Sequence, residues 1–172
     1  MPVAIRNQQR LHKVATARLK KLAQRALDLV AVGRDEPPAR PKPAGDPAGR
    51  PHRAQSKCNL SLVLMDDAGI RKLNRDFHHT DAPTDVLSFD YGGGELEVIV
   101  NVERAFDVAE QYRNTASREL ALYIVHGILH LHSHDDVTPA KRRRMRAAQQ
   151  RLLKTLLSRR KSIGVAVCRR LG

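Results

Sequence analysis

Residues 115–136 read TASRELALYIVHGILHLHSHDD, and the spacing predicts a helix over most of this stretch. Thr115 or Ser117 can cap it, and Glu119 stands in the first turn, where a carboxylate favours the helix dipole. Leu120, Ile124, Gly127, Ile128 and Leu131 recur at helical spacing and form a stripe to be buried. His126 and His130 lie on an adjacent stripe. Being four apart, they stack both imidazoles on one helix face. Beyond the helix, His132, His134, Asp135 and Asp136 all compete as a third ligand, with Asp136 favoured. Two imidazoles and a carboxylate with a fourth position open make the ligand set of a catalytic zinc rather than a structural one. Such a cation acidifies water near neutral pH, so hydrolysis is the expected chemistry. Gly127 narrows it: an H-E-x-x-H metalloprotease has its general base at that position, and this chain does not.

The flanking sequence predicts both strands and helices. Val3 to Arg6 can form a short strand, and apolar residues from Leu11 to Val30 recur at three and four, predicting an amphipathic helix. Residues 34–57 contain six prolines and no Leu, Ile, Val or aromatic residue. This segment has nothing to bury and reads as a mobile insertion. Residues 59–65 (NLSLVLM) alternate as a strand. Asp66 or Asp67 caps a helix running to about Phe77, with Ile70, Leu73 and Phe77 expected to face inward. Val86 to Tyr91 and Leu96 to Val102 read as strands joined by the turn Gly92–Gly94. A helix follows over about Glu103 to Gln111. Thr138–Pro139 opens a last, basic helix with Met145, Ala148, Leu152, Thr155 and Leu156 on one side. The tail from 158 to 172 is expected to be basic and poorly ordered.

The chain has 172 residues, no Trp, three Phe and three Tyr. Its length fits one domain with a core of Leu, Val, Ile and Ala. No apolar run is long enough to span a bilayer and the N-terminus lacks a signal-type apolar segment. Cys58 and Cys168 are in no metal spacing, consistent with a reduced cytoplasmic protein. The net charge of +13 is unevenly placed. Residues 1–57 carry 13 Lys/Arg and 4 Asp/Glu, residues 58–136 carry 6 and 14, and residues 137–172 carry 12 and none. An acidic middle between basic flanks points to a polyanionic partner.

Two motifs together resemble the YbeY family, metal-dependent endoribonucleases linked to maturation of small-subunit ribosomal RNA and ribosome quality control. HGILHLHSHDD, residues 126–136, is similar to the family's H-G-x-L-H-L-x-G-[YH]-D-H. LNRDFHHTDAPTDVLSF, residues 73–89, is similar to its L-N-x-x-[YF]-R-x-x-D-x-P-T-[DN]-V-L-S-F. The resemblance covers about residues 3–157, apart from the proline-rich segment. It implies a small α/β (α+β) domain, a mixed sheet of about four strands flanked by about five helices, with the metal-bearing helix central. It also implies one Zn2+ held by His126, His130 and Asp136, and a single-stranded RNA substrate, ribosomal RNA or the small ribosomal subunit.

The chain departs from the family pattern at three positions, 78, 133 and 136. Asp136 stands where the third ligand is usually His, and carboxylate is an accepted zinc ligand. Ser133 replaces Gly, and His134 takes the aromatic position. His78 takes the place of the Arg implicated in RNA handling, and imidazole cannot reproduce the planar guanidinium fork. Arg75 or His79 can compensate. Asp85 is expected near the mouth of the site or as a cap for the strand that follows, and Asp135 as a supporting residue. The alternative reading is a non-catalytic, RNA-binding ribosome-assembly factor with a structural zinc.

Overall fold

The computed structural model describes residues 2–31, 58–132 and 137–158, and the backbone of Arg169 and Arg170. The segment 34–57, Ser133 to Asp136 and the tail past Ser158, apart from those two arginines, lie outside the described residues. The elements run β1 (Val3–Asn7), β2 (His12–Lys13), α1 (Thr16–Ala31), β3 (Asn59–Met65), α2 (Asp67–His78) and β4 (Val86–Asp90). They continue as β5 (Glu95–Asn101), α3 (Val102–Gln111), α4 (Ala116–Leu131), α5 (Pro139–Leu157) and β6 (Arg169–Arg170).

The main sheet has the order β1-β3-β5-β4. The first three strands are parallel, and β4 pairs antiparallel with β5 at the edge. Parallel neighbours need crossover connections, which α1 supplies between β1 and β3. Gly92, Gly93 and Gly94 all have positive φ and close the β4–β5 hairpin. The expected class, a small α+β domain with a mixed four-stranded sheet and five helices, is the one observed.

Strand alternation divides the sheet into two unequal faces. Leu60, Leu62 and Leu64 stand beside Leu96, Val98 and Val100 and join the main core with α1, α4 and α5. Helix α4 is buried nearly all round, through Leu120, Ala121, Tyr123, Ile124, Val125, Ile128 and Leu129. A helix apolar on all sides belongs at the centre of its fold, and α1, α3, α5 and the sheet all pack on it. The other face carries a smaller cluster of Val63, Ile70, Leu87 and Ile99, covered by α2.

Helix caps fall where the sequence places them: Asp66 accepts from Gly69 N, Thr115 from Arg118 N and Thr138 from Lys141 N. Four details differ from expectation. Leu11 is exposed and precedes α1, because Gln9 clamps the backbone of His12 at both ends, through His12 N–H at 2.9 Å and its carbonyl at 2.8 Å. Phe77 is 59% exposed rather than inward, its ring set edge-on against Phe89 of the edge strand β4. Leu131 is only half-buried, and Thr155 is exposed while Leu153 is buried in its stead.

Candidate active site

A cleft of about 500 Å³ opens between the C-terminal end of α2, strand β4 and the histidine face of α4. It is lined by Asn74, His78, Thr84, Asp85, His126 and His130, with Val86, Leu87 and Ser88 along β4. Thus His78 meets His126 and His130, 48 and 52 positions further along the chain, in one cavity.

The His126 and His130 rings stand edge to face, centroids 4.6 Å apart, with Nε2 atoms 3.1 Å from one another. Two nitrogens bound to one zinc at about 2.0–2.1 Å in tetrahedral geometry lie roughly 3.3 Å apart, so this pair is spaced to share an ion. Both rings are half-buried, which fixes their rotamers while leaving the nitrogens accessible to the cleft. Among the described residues no third ligand completes a cluster with them. Asp136, Asp135 and His134 lie outside those residues. His132 places Nδ1 3.0 Å from the Ile128 carbonyl, so its ring serves the C-terminal turn of α4.

Gly127 has a packing role between these histidines. A β-carbon on it would stand 2.7 Å from Val98 Cγ1, 2.9 Å from Ser88 Oγ and 3.0 Å from Val86 Cγ2. Its hydrogen lets α4 lie against β4 and β5, which brings His126 and His130 beside the strand that lines the cleft. A glutamate would meet the same atoms, so the missing protease base reflects the seating of the helix. Ser88 completes the contact by donating its hydroxyl to the Gly127 carbonyl at 3.2 Å.

The opposite wall depends on how α2 ends. His79 adopts the left-handed conformation (φ 55°), and the N–H groups of His79 and Thr80 donate to the carbonyls of Arg75 and Asn74. Asn74 is buried and its amide donates to the Ala82 carbonyl at 2.8 Å, folding the 79–85 loop back over the helix. Arg71 grips the same loop through a two-pronged contact with Asp81, at 2.8 and 2.9 Å. This guanidinium holds the Asp81 carboxyl below its ordinary pKa. His78 reaches the cleft from this wall, whereas Arg75 and His79 do not line it. Arg75 lies 3.7 Å from Asp76 and 3.8 Å from Asp81.

Asp85 stands in the cleft and also caps the strand that follows it. Its Oδ1 accepts from the Thr84 hydroxyl and from Val86 N, each at 3.1 Å. Beneath it lies a residue the sequence reading overlooked. Asn101 is fully buried at the end of β5, and its Oδ1 accepts from Arg104 N to cap α3. Its amide donates to the Thr84 carbonyl at 3.0 Å and to Asp67 Oδ1. One side chain therefore ties α2, α3 and the cleft loop together. The available signal was a cap-type residue immediately before the helical run VERAFDVAEQ.

A family model described as Endoribonuclease YbeY matches residues 46–157. The chain belongs to the YbeY family. The Endoribonuclease YbeY of Geobacter metallireducens is 31% identical over 167 residues, 91% of this chain and 96% of that protein. That of Moorella thermoacetica is 40% identical over 112 residues, 56% of this chain and 72% of the relative. The solution structure of TM1509 from Thermotoga maritima superposes with a TM-score of 0.53 at 23% identity. It covers 88% of this chain and 87% of that one, a likeness of fold. The two YbeY-like motifs, 73–89 and 126–136, supply between them every residue that lines the cleft.

Proposed function

We propose that this protein is a metal-dependent endoribonuclease, specific for single strands, acting in the cytoplasm on small-subunit ribosomal RNA in its maturation and quality control. The observation that carries this reading is the convergence of His126 and His130 Nε2, 3.1 Å apart, at a cleft open to solvent. The reading assigns one Zn2+ to His126, His130 and Asp136. A zinc ion held there supplies Lewis acidity at a phosphate or water oxygen.

The chain's own groups do the rest. His78 donates to the phosphate from the α2 wall, in the place of the family's Arg. Arg75 and His79, exposed beside it, attract the neighbouring backbone. Asp85 offers a carboxylate acceptor to the reacting hydroxyl or water. The basic residues of α5, Lys141 to Arg146 among them, add sequence-independent affinity for phosphates.

Purified protein should cleave a 5′-labelled single-stranded RNA more readily than its duplex, lose that activity to a chelator, and regain it with added zinc. Cleavage surviving thorough chelation sinks the metal reading. A 2′-deoxy substitution at the scissile position separates attack by the ribose hydroxyl, which it blocks, from attack by water.

A second reading rests on His78. With imidazole in place of the guanidinium fork, the chain serves as an RNA-binding assembly factor whose zinc is structural. A parent protein that binds RNA without cleaving it, and whose His126→Ala form loses stability but retains RNA binding, favours this second reading.

A further inference from the structure

The second face of the sheet is only partly covered. Helix α2 packs over Val63, Ile99 and Leu87, but the half of the face toward the β4–β5 turn has no helix on it among the described residues. Aromatic side chains collect there. Phe77, Phe89 and Tyr91 form a continuous row, with centroids 5.0 Å apart for the first pair and 6.1 Å for the second. The chain has only six Phe and Tyr residues, so half of them stand in this row. Phe77 is 59% and Tyr91 65% exposed, an unusual state for large rings gathered together.

The row has a charged border. Arg6 lies beside it on β1, bonded to Glu97 at 3.0 Å and Ser61 at 3.3 Å, with its side chain 63% exposed. Tyr91 donates its hydroxyl to the other oxygen of Glu97 at 3.1 Å, so the acid is matched by two donors and the phenol ring is held in place. The row and the cleft lie on the two sides of the edge strand β4: Ser88 faces Gly127 of α4 and lines the cleft, whereas Phe89 beside it faces the smaller cluster, so a strand leaving the cleft reaches the row around this edge.

We propose that Phe77, Phe89 and Tyr91 form a stacking platform for unpaired bases of the RNA strand that leaves the cleft, with Arg6 receiving a phosphate. The inference deepens the proposed function and rests on it. Any base can stack on an aromatic ring, so the platform recognises single-strandedness without reading sequence. A duplex hides its base faces and cannot use the platform. An open sheet face bearing aromatic rings is one established route to single-stranded RNA. Preference for single strands thus resides on the sheet, apart from the metal ligands.

The test measures binding of the full chain to a fluorescent single-stranded RNA by anisotropy, under chelation so that cleavage does not intervene. Phe77→Leu with Tyr91→Leu should weaken binding roughly 10- to 100-fold, while Phe77→Tyr with Tyr91→Phe should bind as the parent does. Duplex binding should be unchanged in both. The parent protein should lose a similar factor on RNA made abasic at consecutive positions, a measurement independent of how the variants fold. Equal affinity for intact and abasic RNA would overturn the platform. So would an unchanged leucine double variant, and one that instead loses a ribosomal protein would assign the row to a protein partner. If the parent cleaves single-stranded RNA while abasic substitution has no effect, only the platform fails. If the parent binds no RNA, the proposed function fails with it.

Discussion

The Ser88 hydroxyl meets the Gly127 carbonyl at 3.2 Å, at the one point on α4 where a β-carbon would press into Val98, Ser88 and Val86. Gly127→Ala sets two effects against each other. Alanine gains roughly 1 kcal/mol of helix propensity, whereas overpacking a close-packed interface costs about 1–3 kcal/mol. The shortest contact, 2.7 Å to a β-branched side chain on a central strand, has little room to relax. We expect net destabilisation of about 1–2 kcal/mol in urea unfolding, together with weaker metal retention as the two histidines move off the strand. An alanine variant as stable as the parent would remove Gly127's packing role.

Asn101 makes a second prediction. Asn101→Ala removes the cap of α3 and leaves the Thr84 carbonyl and Asp67 without its amide. Loss of the cap costs about 1 kcal/mol, and each of these part-buried groups left unpaired about 1 kcal/mol, the low end for buried groups. Stability should fall by roughly 2–4 kcal/mol, and amide exchange in the 84–86 segment should accelerate before global unfolding. Asn101→Asp should retain the cap yet place a second carboxylate beside Asp67, so its deficit should grow as pH rises through the carboxylate range. A pH-independent deficit for that variant would contradict the hub.

His78→Arg tests the cleft wall. The side chain is exposed, so the folded state should tolerate the change with little loss. A guanidinium there offers two parallel N–H groups to a phosphate where imidazole offers one. RNA cleavage at a subsaturating substrate concentration should rise by up to about tenfold, one charge-assisted hydrogen bond's worth. A parent with no cleavage that gains it through this substitution would identify His78 as the reason for a non-catalytic role.

Tyr123 supplies a pH dependence. Burial raises its phenol above the ordinary 10.0, and the Asp85 and Glu119 carboxylates push in the same direction. The folded pKa exceeds the unfolded one, so the neutral phenol's stabilisation is complete below about pH 10 and is lost as pH rises beyond it. Tyr123→Phe should therefore flatten the alkaline limb of the stability curve. Urea unfolding between about pH 8 and pH 11 checks this, and an identical fall in parent and variant would exclude Tyr123 as its source.

The sequence is most legible where structure is local. Thr115, Asp66 and Thr138 announce their helices because a cap lies within three residues of the N–H it satisfies. The four-residue spacing of His126 and His130 likewise places both rings on one face before any tertiary contact is known. Legibility fails where the deciding partner is distant. Leu11 continues the periodicity of α1 by chance, and only the turn fixed by Gln9 and the pairing of His12 with Arg170 exclude it from the helix. Gly127 reads as an absent glutamate until Val98 and Val86, residues of the sheet, show what fills the space. Phe77 has the spacing of a core residue, but the ring it meets, Phe89, lies on the edge strand and leaves it 59% exposed.

Strand β4 pairs only with β5 among the described strands, so its other margin, where Asp85 takes the Val86 N–H, has no strand beside it at the cleft. Such a margin invites another strand and is a known route to self-association. Here Asp85 precedes the short strand and Asp90 ends it, and a foreign β-ribbon would have to sit across Val86 to Ser88, over the mouth of the proposed site. Oligomers zipped along this margin should therefore be silent as nucleases. Solubility and turnover then depend on the same five residues staying unpartnered.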